Sequence, residues 1–166
     1  LGLSIIILAA GQGTRMRSDL PKVLQLLAGR PLLSHVLECS KALAPDDICI
    51  VYGHGAETVE ATYANESLRW ALQAEQLGTG HAMQQAMPAT PDENRVLVLF
   101  GDVPLLMPAT LSVLIGETPL DEMSVLTVDM DDPTGYGRII RERGSVNSIV
   151  EEKDAGVDEK AVREIN

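Results

Sequence analysis

Three stretches of this chain carry residues whose types and spacing suit chemistry on a polyphosphate. The first is Leu8-Ala9-Ala10-Gly11-Gln12-Gly13-Thr14-Arg15-Met16, followed by Pro21-Lys22. Its glycines let bare backbone N–H groups approach an anion, and Arg15 and Lys22 supply cations to close over it. Arg15, Arg17, Lys22 and Arg30 crowd into one short segment, which reads as a local cationic cluster or as a solvated basic face. The loop is not a Walker A sequence, and it lacks the third glycine of a dinucleotide fingerprint. A bare Gly-x-Gly also suits a tight turn, but a turn needs neither Arg15 nor Lys22. The second stretch is Gly101-Asp102-Val103-Pro104, at the end of an apolar run. Asp102 reads either as a turn or cap carboxylate or as a ligand for Mg²⁺, which takes one or two carboxylates plus substrate phosphates and water. The third is Gln73-Ala74-Glu75-Gln76-Leu77-Gly78-Thr79-Gly80-His81. The Gln73 amide has donors and an acceptor for a nucleobase edge; taken alone it reads as a surface amide.

The elements that must position these residues follow from periodicity. Leu3 to Leu8 is apolar on both faces, the pattern of a central parallel strand covered on both sides. A helix is predicted from Gly29-Arg30-Pro31 to about Ala44, with Leu32, Val36, Cys39 and Leu43 on one face. A strand follows at Asp47 to Tyr52, a turn at Gly53-His54-Gly55, a helix at Ala56 to Ala64 and a strand at Leu68 to Leu72. The helix Thr79 to Met87 places Met83, Ala86 and Met87 in the core, and Trp70 is expected there too. A fourth strand is Arg95 to Phe100, then a helix Pro108 to Gly116, and a weaker fifth strand Met123 to Met130. A β-hairpin is predicted around Arg143-Gly144, from Arg138 to Arg141 and Ser145 to Glu151. Lys153 to Asn166 reads as a loop or weak helix, and Glu151, Glu152 and Asp154 as a solvated charge run.

Repeated strand–helix units imply an α/β, Rossmann-like doubly wound, mostly parallel sheet with a C-terminal β-hairpin insert. Strand order 3-2-1-4 sets the loops after strands one and four side by side at the switch point, where ligands bind. The Gly11 loop and Asp102 are therefore expected to share a crevice.

The 166 residues are most simply one domain with a real core. Net charge is −11, a poor match for nucleic acid. No stretch approaches the roughly 20 apolar residues of a membrane span, and no secretory signal is read at the N-terminus. Cys39 and Cys49 fit no metal or redox spacing and are expected to be buried thiols in a reducing cytoplasm. His35, His54 and His81 form no nucleophilic or metal constellation, and structural or solvent roles are expected for them.

The first loop with Pro21-Lys22 resembles the signature of sugar-1-phosphate nucleotidyltransferases. The stretch Gln73 to Ala82, Gly101 to Pro104, Asp132-Pro133-Thr134-Gly135-Tyr136-Gly137-Arg138 and Ile149-Val150-Glu151 narrow this. Together they resemble the uridylyltransferase domain of the bacterial bifunctional N-acetylglucosamine-1-phosphate uridylyltransferases/glucosamine-1-phosphate acetyltransferases. The resemblance implies a nucleotide-diphospho-sugar transferase fold and Mg²⁺-dependent uridylyl transfer from UTP to N-acetylglucosamine 1-phosphate. It further implies a cytoplasmic enzyme supplying cell-wall precursors. The main chain of Ala9, Ala10 and Gly11 and the side chain of Gln73 would hold uracil, with Leu8 also substrate-binding and Gly78 and Thr79 continuing the nucleotide site. Arg15 and Lys22 would bind phosphates, Asp102 would bind Mg²⁺, and Gly137, Glu151 and Asn166 would contact the sugar. Gln12 departs from the family, many members of which have Lys there. The family's domain is also longer: its second metal ligand, an Asn, lies beyond Asn166, and a trimer-forming acetyltransferase β-helix is missing. The chain is thus expected to be a truncated domain, itself a monomer. A nucleotidyltransferase for another base or sugar phosphate, or a non-catalytic nucleotide-sugar-binding module, stays open.

Overall fold

The computed structural model describes residues 1–11, 18, 20–53 and 56–166. The chain divides into two compact units, Leu1–Ile115 and Gly116–Asn166.

The first unit is built on four parallel strands: β1 (Leu3–Leu8), β4 (Asp47–Tyr52), β5 (Arg69–Leu72) and β6 (Arg95–Phe100), in the order β5-β4-β1-β6. This is the order expected from the sequence. Between β1 and β4 lie a 3-10 turn (Lys22–Leu24), the short strands β2 (Leu26–Leu27) and β3 (Arg30–Pro31), and helix α1 (Leu32–Lys41). Helices α2 (Ala56–Thr62), α3 (Thr79–Ala86) and α4 (Pro108–Glu117) complete the set.

The period-2 geometry of β1 explains its composition. Ile5 and Ile7 pack in one cluster with Leu33, Val36 and Leu37 of α1, Val59 of α2 and Leu111 of α4. Ile6 packs on the other side with Cys49, Val51 and, from α3, Ala82 and Ala86. All three isoleucines are fully buried, worth about 1.5–3 kcal/mol apiece. At the strands' N-terminal ends a polar network ties the sheet: Ser4 donates to Asp47 at 2.5 Å, and Asn94 donates to Ser4 at 3.0 Å.

Several local expectations need correction. The helix expected after Gly29-Arg30-Pro31 begins at Leu32 with Pro31 as its N-cap, and Arg30–Pro31 is itself a short strand. It pairs antiparallel with Leu26–Leu27 across Ala28 and Gly29, both at positive φ (50° and 77°), as a two-residue hairpin demands. Helix α1 stops at Lys41 rather than near Ala44, with Ala44 at φ 49°, just before Pro45, which disfavours a helical residue ahead of it. Helix α3 ends at Ala86, passes into a 3-10 turn (Met87–Ala89) and leaves Met87 exposed. Trp70 is only partly buried and meets Tyr52 edge-on at 5.6 Å.

The second unit holds an antiparallel sheet, β7 (Val128–Asp129), β10 (Glu164–Ile165), β8 (Arg138–Glu142) and β9 (Ser145–Val150), in that order, with a short helix α5 (Val157–Lys160). The β8–β9 hairpin forms as expected, turning at Arg143 and Gly144 with φ 52° and 90°. The predicted strand Met123 to Met130 shrinks to two residues, and Met123 lies exposed. The tail read as a loop or weak helix supplies α5 and a strand, β10, whose Ile165 is buried with Ile139. Arg138 is 2% exposed and ion-paired to Glu152 at 2.6 Å, so Glu152 is not part of a solvated run. That bond, with burial opposing it and a Gly135 N–H assisting, holds the Glu152 carboxyl below its ordinary range.

Candidate active site

The loops that leave the C-terminal ends of the parallel strands enclose a cavity of about 310 Å³ in the first unit. Ladder-like bonds carry the sheet into these loops. Ala9 N–H donates to Val51 O at 2.7 Å, Gly101 N–H to Leu8 O at 2.9 Å, and Gln73 N–H to Tyr52 O at 2.8 Å. Two glycines permit close approach. A Cβ on Gly101 would stand 3.1 Å from Val23 Cγ1 and 3.4 Å from Ala9 Cβ; one on Gly53 would stand 3.0 Å from Ala10 O.

Leu8, Ala9, Ala10, Gly11, Lys22, Gln73, Gly78, Thr79 and Asp102 all line this cavity. They come from four separate segments, so the sheet order brings together what the sequence scatters. Lys22 is delivered by the 3-10 turn, anchored by buried Val23 and Leu24. Its Nζ forms an ion pair with Asp102 Oδ2. Arg15, with the rest of 12–17, lies outside the described residues, as does His54. Arg30 is not among the lining residues and pairs with Glu38 at 2.8 Å. His35 meets Leu27 O at 2.9 Å, a structural role.

Gln73 departs from the surface reading. Its residue is 4% exposed, and its Nε2 donates to Gly78 O at 3.0 Å and meets His81 Nδ1 at 3.2 Å. Sequence reasoning also passed over Gln76. Its Nε2 donates to Ala10 O at 2.6 Å and it lines the cavity with Val23, Ala82 and Phe100. The available signal was its position three residues after Gln73 in the same glycine-bearing stretch.

Gly137, Glu151 and Asn166 belong to the second unit. Each directly follows or precedes a paired strand residue: Asn166 follows Ile165, Gly137 precedes Arg138 and Glu151 follows Val150, in the pairings Ile165↔Arg138 and Arg138↔Val150. A Cβ on Gly137 would lie 3.8 Å from Glu151 Oε1 and 3.0 Å from Ile149 Cγ2, so the missing side chain lets Ile149 pack closely on this backbone beside that carboxylate.

Among the described residues that line the cavity, Asp102 is the one carboxylate. No group of three or more His, Cys, Asp and Glu able to hold a metal occurs among the described residues. Asp102, partly exposed in the cavity and already drawing the Lys22 ammonium, suits a hard cation that keeps water and phosphate oxygens as its other ligands. No helix is long and apolar enough to cross a membrane among the described residues.

Residues 5–143 match the family model of the MobA-like NTP transferase domain. Bifunctional protein GlmU of Herminiimonas arsenicoxydans is 51% identical over 164 residues, covering 99% of this chain and 36% of that protein. The chain thus spans about a third of the length of that curated relative. HddC from Yersinia pseudotuberculosis, solved in complex with GMP-PN, superposes with a TM-score of 0.72 at 24% identity, over 90% of this chain and 69% of that one. A putative glucose-1-phosphate thymidylyltransferase from Bacillus anthracis, solved with sucrose, gives 0.69 at 19% identity, over 98% and 68%. These two likenesses bear on the fold, a mixed α/β architecture around a parallel sheet.

Proposed function

The chain belongs to the MobA-like NTP transferase domain family, and on that premise we propose that it is a uridylyltransferase domain. It transfers the uridylyl group of UTP to N-acetylglucosamine 1-phosphate and releases pyrophosphate. The observation that carries this reading is the meeting, in one cavity, of a buried amide and bare backbone suited to a base with a cation–carboxylate pair suited to phosphates. The half-identical GlmU sequence supports uracil and N-acetylglucosamine 1-phosphate as the particular substrates.

In this account the Ala9–Gly11 backbone and Gln73 hold uracil, while Gly78 and Thr79 continue the nucleotide site. Lys22 and Arg15 neutralise phosphate oxygens. Gly137, Glu151 and Asn166, all in the second unit, form the sugar subsite. Asp102 would hold Mg²⁺, which when bound supplies positive charge against the phosphates. A phosphate monoester carries about −1.5 to −2 charges at pH 7, so the acceptor oxygen is already anionic and no general base is needed. The protein's task is to align two anions and offset their repulsion. Within the parent enzyme this domain would be cytoplasmic, would supply cell-wall and lipopolysaccharide precursors, and would be joined to a trimeric acetyltransferase part.

Pyrophosphate release by this chain in Mg²⁺, with N-acetylglucosamine 1-phosphate as acceptor, tests the reading. UTP is expected to exceed dTTP, CTP and GTP by at least about tenfold. Preference for another nucleotide or another sugar phosphate would replace the substrate assignment.

A further inference from the structure

We propose that the Arg138–Glu152 pair is a positioning device for the sugar subsite: it holds the Tyr136–Gly137 peptide so that the Gly137 N–H is left for an acceptor atom of the ligand. The inference rests on the sugar-subsite reading above and deepens it.

Arg138 opens β8, and its side chain folds back on the turn before it. Its Nη1 donates to Tyr136 O, and its Nη2 donates to Glu152 Oε2 at 2.6 Å. The same carboxylate oxygen accepts from Gly135 N–H at 3.3 Å. Guanidinium and carboxylate thus grip the turn at two backbone atoms, Gly135 N and Tyr136 O. Local bonds shape the earlier part of the turn: Thr134 N–H donates to Asp132 Oδ1 at 3.1 Å, and Tyr136 N–H to Pro133 O at 3.2 Å. Neither involves the next peptide, and ladder pairing begins only at Arg138. Among the described residues Arg138 alone donates to Tyr136 O.

That bond decides where the Gly137 N–H points. The peptide is planar and trans, so its C=O and N–H leave on opposite edges. With Tyr136 O held by the guanidinium, the Gly137 N–H is turned away from it. Gly137 is partly exposed, and its N–H has no acceptor among the described residues. Glu151 Oε1, 3.8 Å from where a Gly137 Cβ would stand, adds an acceptor beside this donor. A sugar hydroxyl both donates and accepts, and so matches the two. Stability accounts for the pair poorly. Arg138 is 2% exposed, and its Nε is buried with no partner among the described residues, which is destabilising. A buried ion pair is often no more stable than apolar groups of its volume. What the pair supplies is forked geometry. Arg138 and Glu152 act through Tyr136 and Gly137 without touching the ligand, so both are positioning residues.

The test titrates UDP-N-acetylglucosamine and, separately, UMP into the ¹³C,¹⁵N-labelled chain and its Glu152→Ala, Glu152→Gln and Arg138→Lys variants. Affinities are read alongside the Tyr136 carbonyl ¹³C and Gly137 amide resonances. In wild type UDP-N-acetylglucosamine is expected to shift the Gly137 amide. Glu152→Ala, a partly exposed turn position, should move both resonances in the free chain, weaken UDP-N-acetylglucosamine about tenfold and leave UMP within twofold. In Glu152→Gln one amide oxygen accepts both bonds that Oε2 accepts, so most of the affinity should return although the charge is gone. A contribution to stability alone would not separate these two variants. Arg138→Lys keeps the cation but loses the fork, and should behave as Glu152→Ala; if it does not fold, the two Glu152 variants decide. Full UDP-N-acetylglucosamine affinity in Glu152→Ala, equal weakening of both ligands, or a Glu152→Gln as weak as Glu152→Ala would overturn the inference and leave the sugar subsite standing. A wild-type Gly137 amide unmoved by bound UDP-N-acetylglucosamine, or a wild-type chain that does not bind it, would overturn both.

Discussion

Lys22 and Asp102 form an ion pair inside the cavity that both of them line. Their side chains are 39% and 27% exposed, so the pair adds little to stability, about 1 kcal/mol or less. A weak pair beside a phosphate-sized space is a site property more than a structural one. Asp102→Ala is expected to lower turnover by about three orders of magnitude, to abolish Mn²⁺ binding followed by electron paramagnetic resonance, and to leave Tm within a few degrees. Lys22→Met should tighten Mn²⁺ severalfold, because the competing ammonium is gone, while weakening UTP. Unchanged Mn²⁺ binding in both variants would remove the metal role from Asp102.

Gly53 tests the backbone side of the cavity. A Cβ there would lie 2.9 Å from Gln76 Nε2, 3.0 Å from Ala10 O and 3.2 Å from Ala10 Cβ. Gly53→Ala must push apart Gln76 and the Ala10 carbonyl that it bonds. Chemical denaturation should show a loss of about 1–3 kcal/mol, and the KM for UTP should rise about tenfold with a smaller change in kcat. A larger fall in kcat than in affinity would place this contact elsewhere in the reaction.

Glu164 offers a pH test of the second unit. Arg141 donates to it at 2.7 and 2.6 Å, and Thr127 at 2.6 Å. These bonds, Arg141 first, lower its carboxyl from the ordinary 4.5 to about 2. A carboxyl depressed on folding stabilises above its unfolded pKa, and the contribution fades as pH falls toward the folded value. The Tm difference between wild type and Glu164→Gln should therefore be full near pH 6 and shrink between about 4.5 and 2. A gap that stays constant across this window would show that the charge contributes nothing.

The buried thiols give a check on the first unit's core. Cys39 and Cys49 are 7% and 1% exposed, and burial raises both pKa values, the Arg69 charge opposing it at Cys49. Neither should react with a disulfide reagent near pH 8 until the chain unfolds. Fast stoichiometric labelling of the native chain would contradict the packing on both faces of β1.

What the sequence made legible, and what it hid, divides along the range of the interactions. Ile5-Ile6-Ile7 announced a strand buried on both faces because its local pattern and its environment coincide. The order β5-β4-β1-β6, and with it the meeting of the Gly11 loop and Asp102, followed from topology rules that need no side-chain detail. By contrast, Glu164–Ile165 is a strand only because Arg141, Thr127 and Asp129 come to meet it from distant positions; its own residues carry no strand signal. Gln73 looked like a surface amide because its partners, Gly78 and His81, return to it through a loop. The Ala28-Gly29 turn was hidden because Pro31 both pairs in the short hairpin and caps the start of α1, and only the second role is local to the sequence.

The central claim is that this cavity binds a uridine nucleotide with its base against Gln73 and its phosphates at Lys22 and Asp102. The most direct measurement is a titration of the ¹⁵N-labelled chain with UMP and, separately, with pyrophosphate plus Mg²⁺, followed by ¹H–¹⁵N spectra. UMP is expected to shift the Gln73 side-chain amide with the Ala10, Gly11 and Gly78 backbone amides, and pyrophosphate the Lys22 and Asp102 amides. Shifts clustered away from these residues, or no shifts at millimolar UMP, would contradict the account.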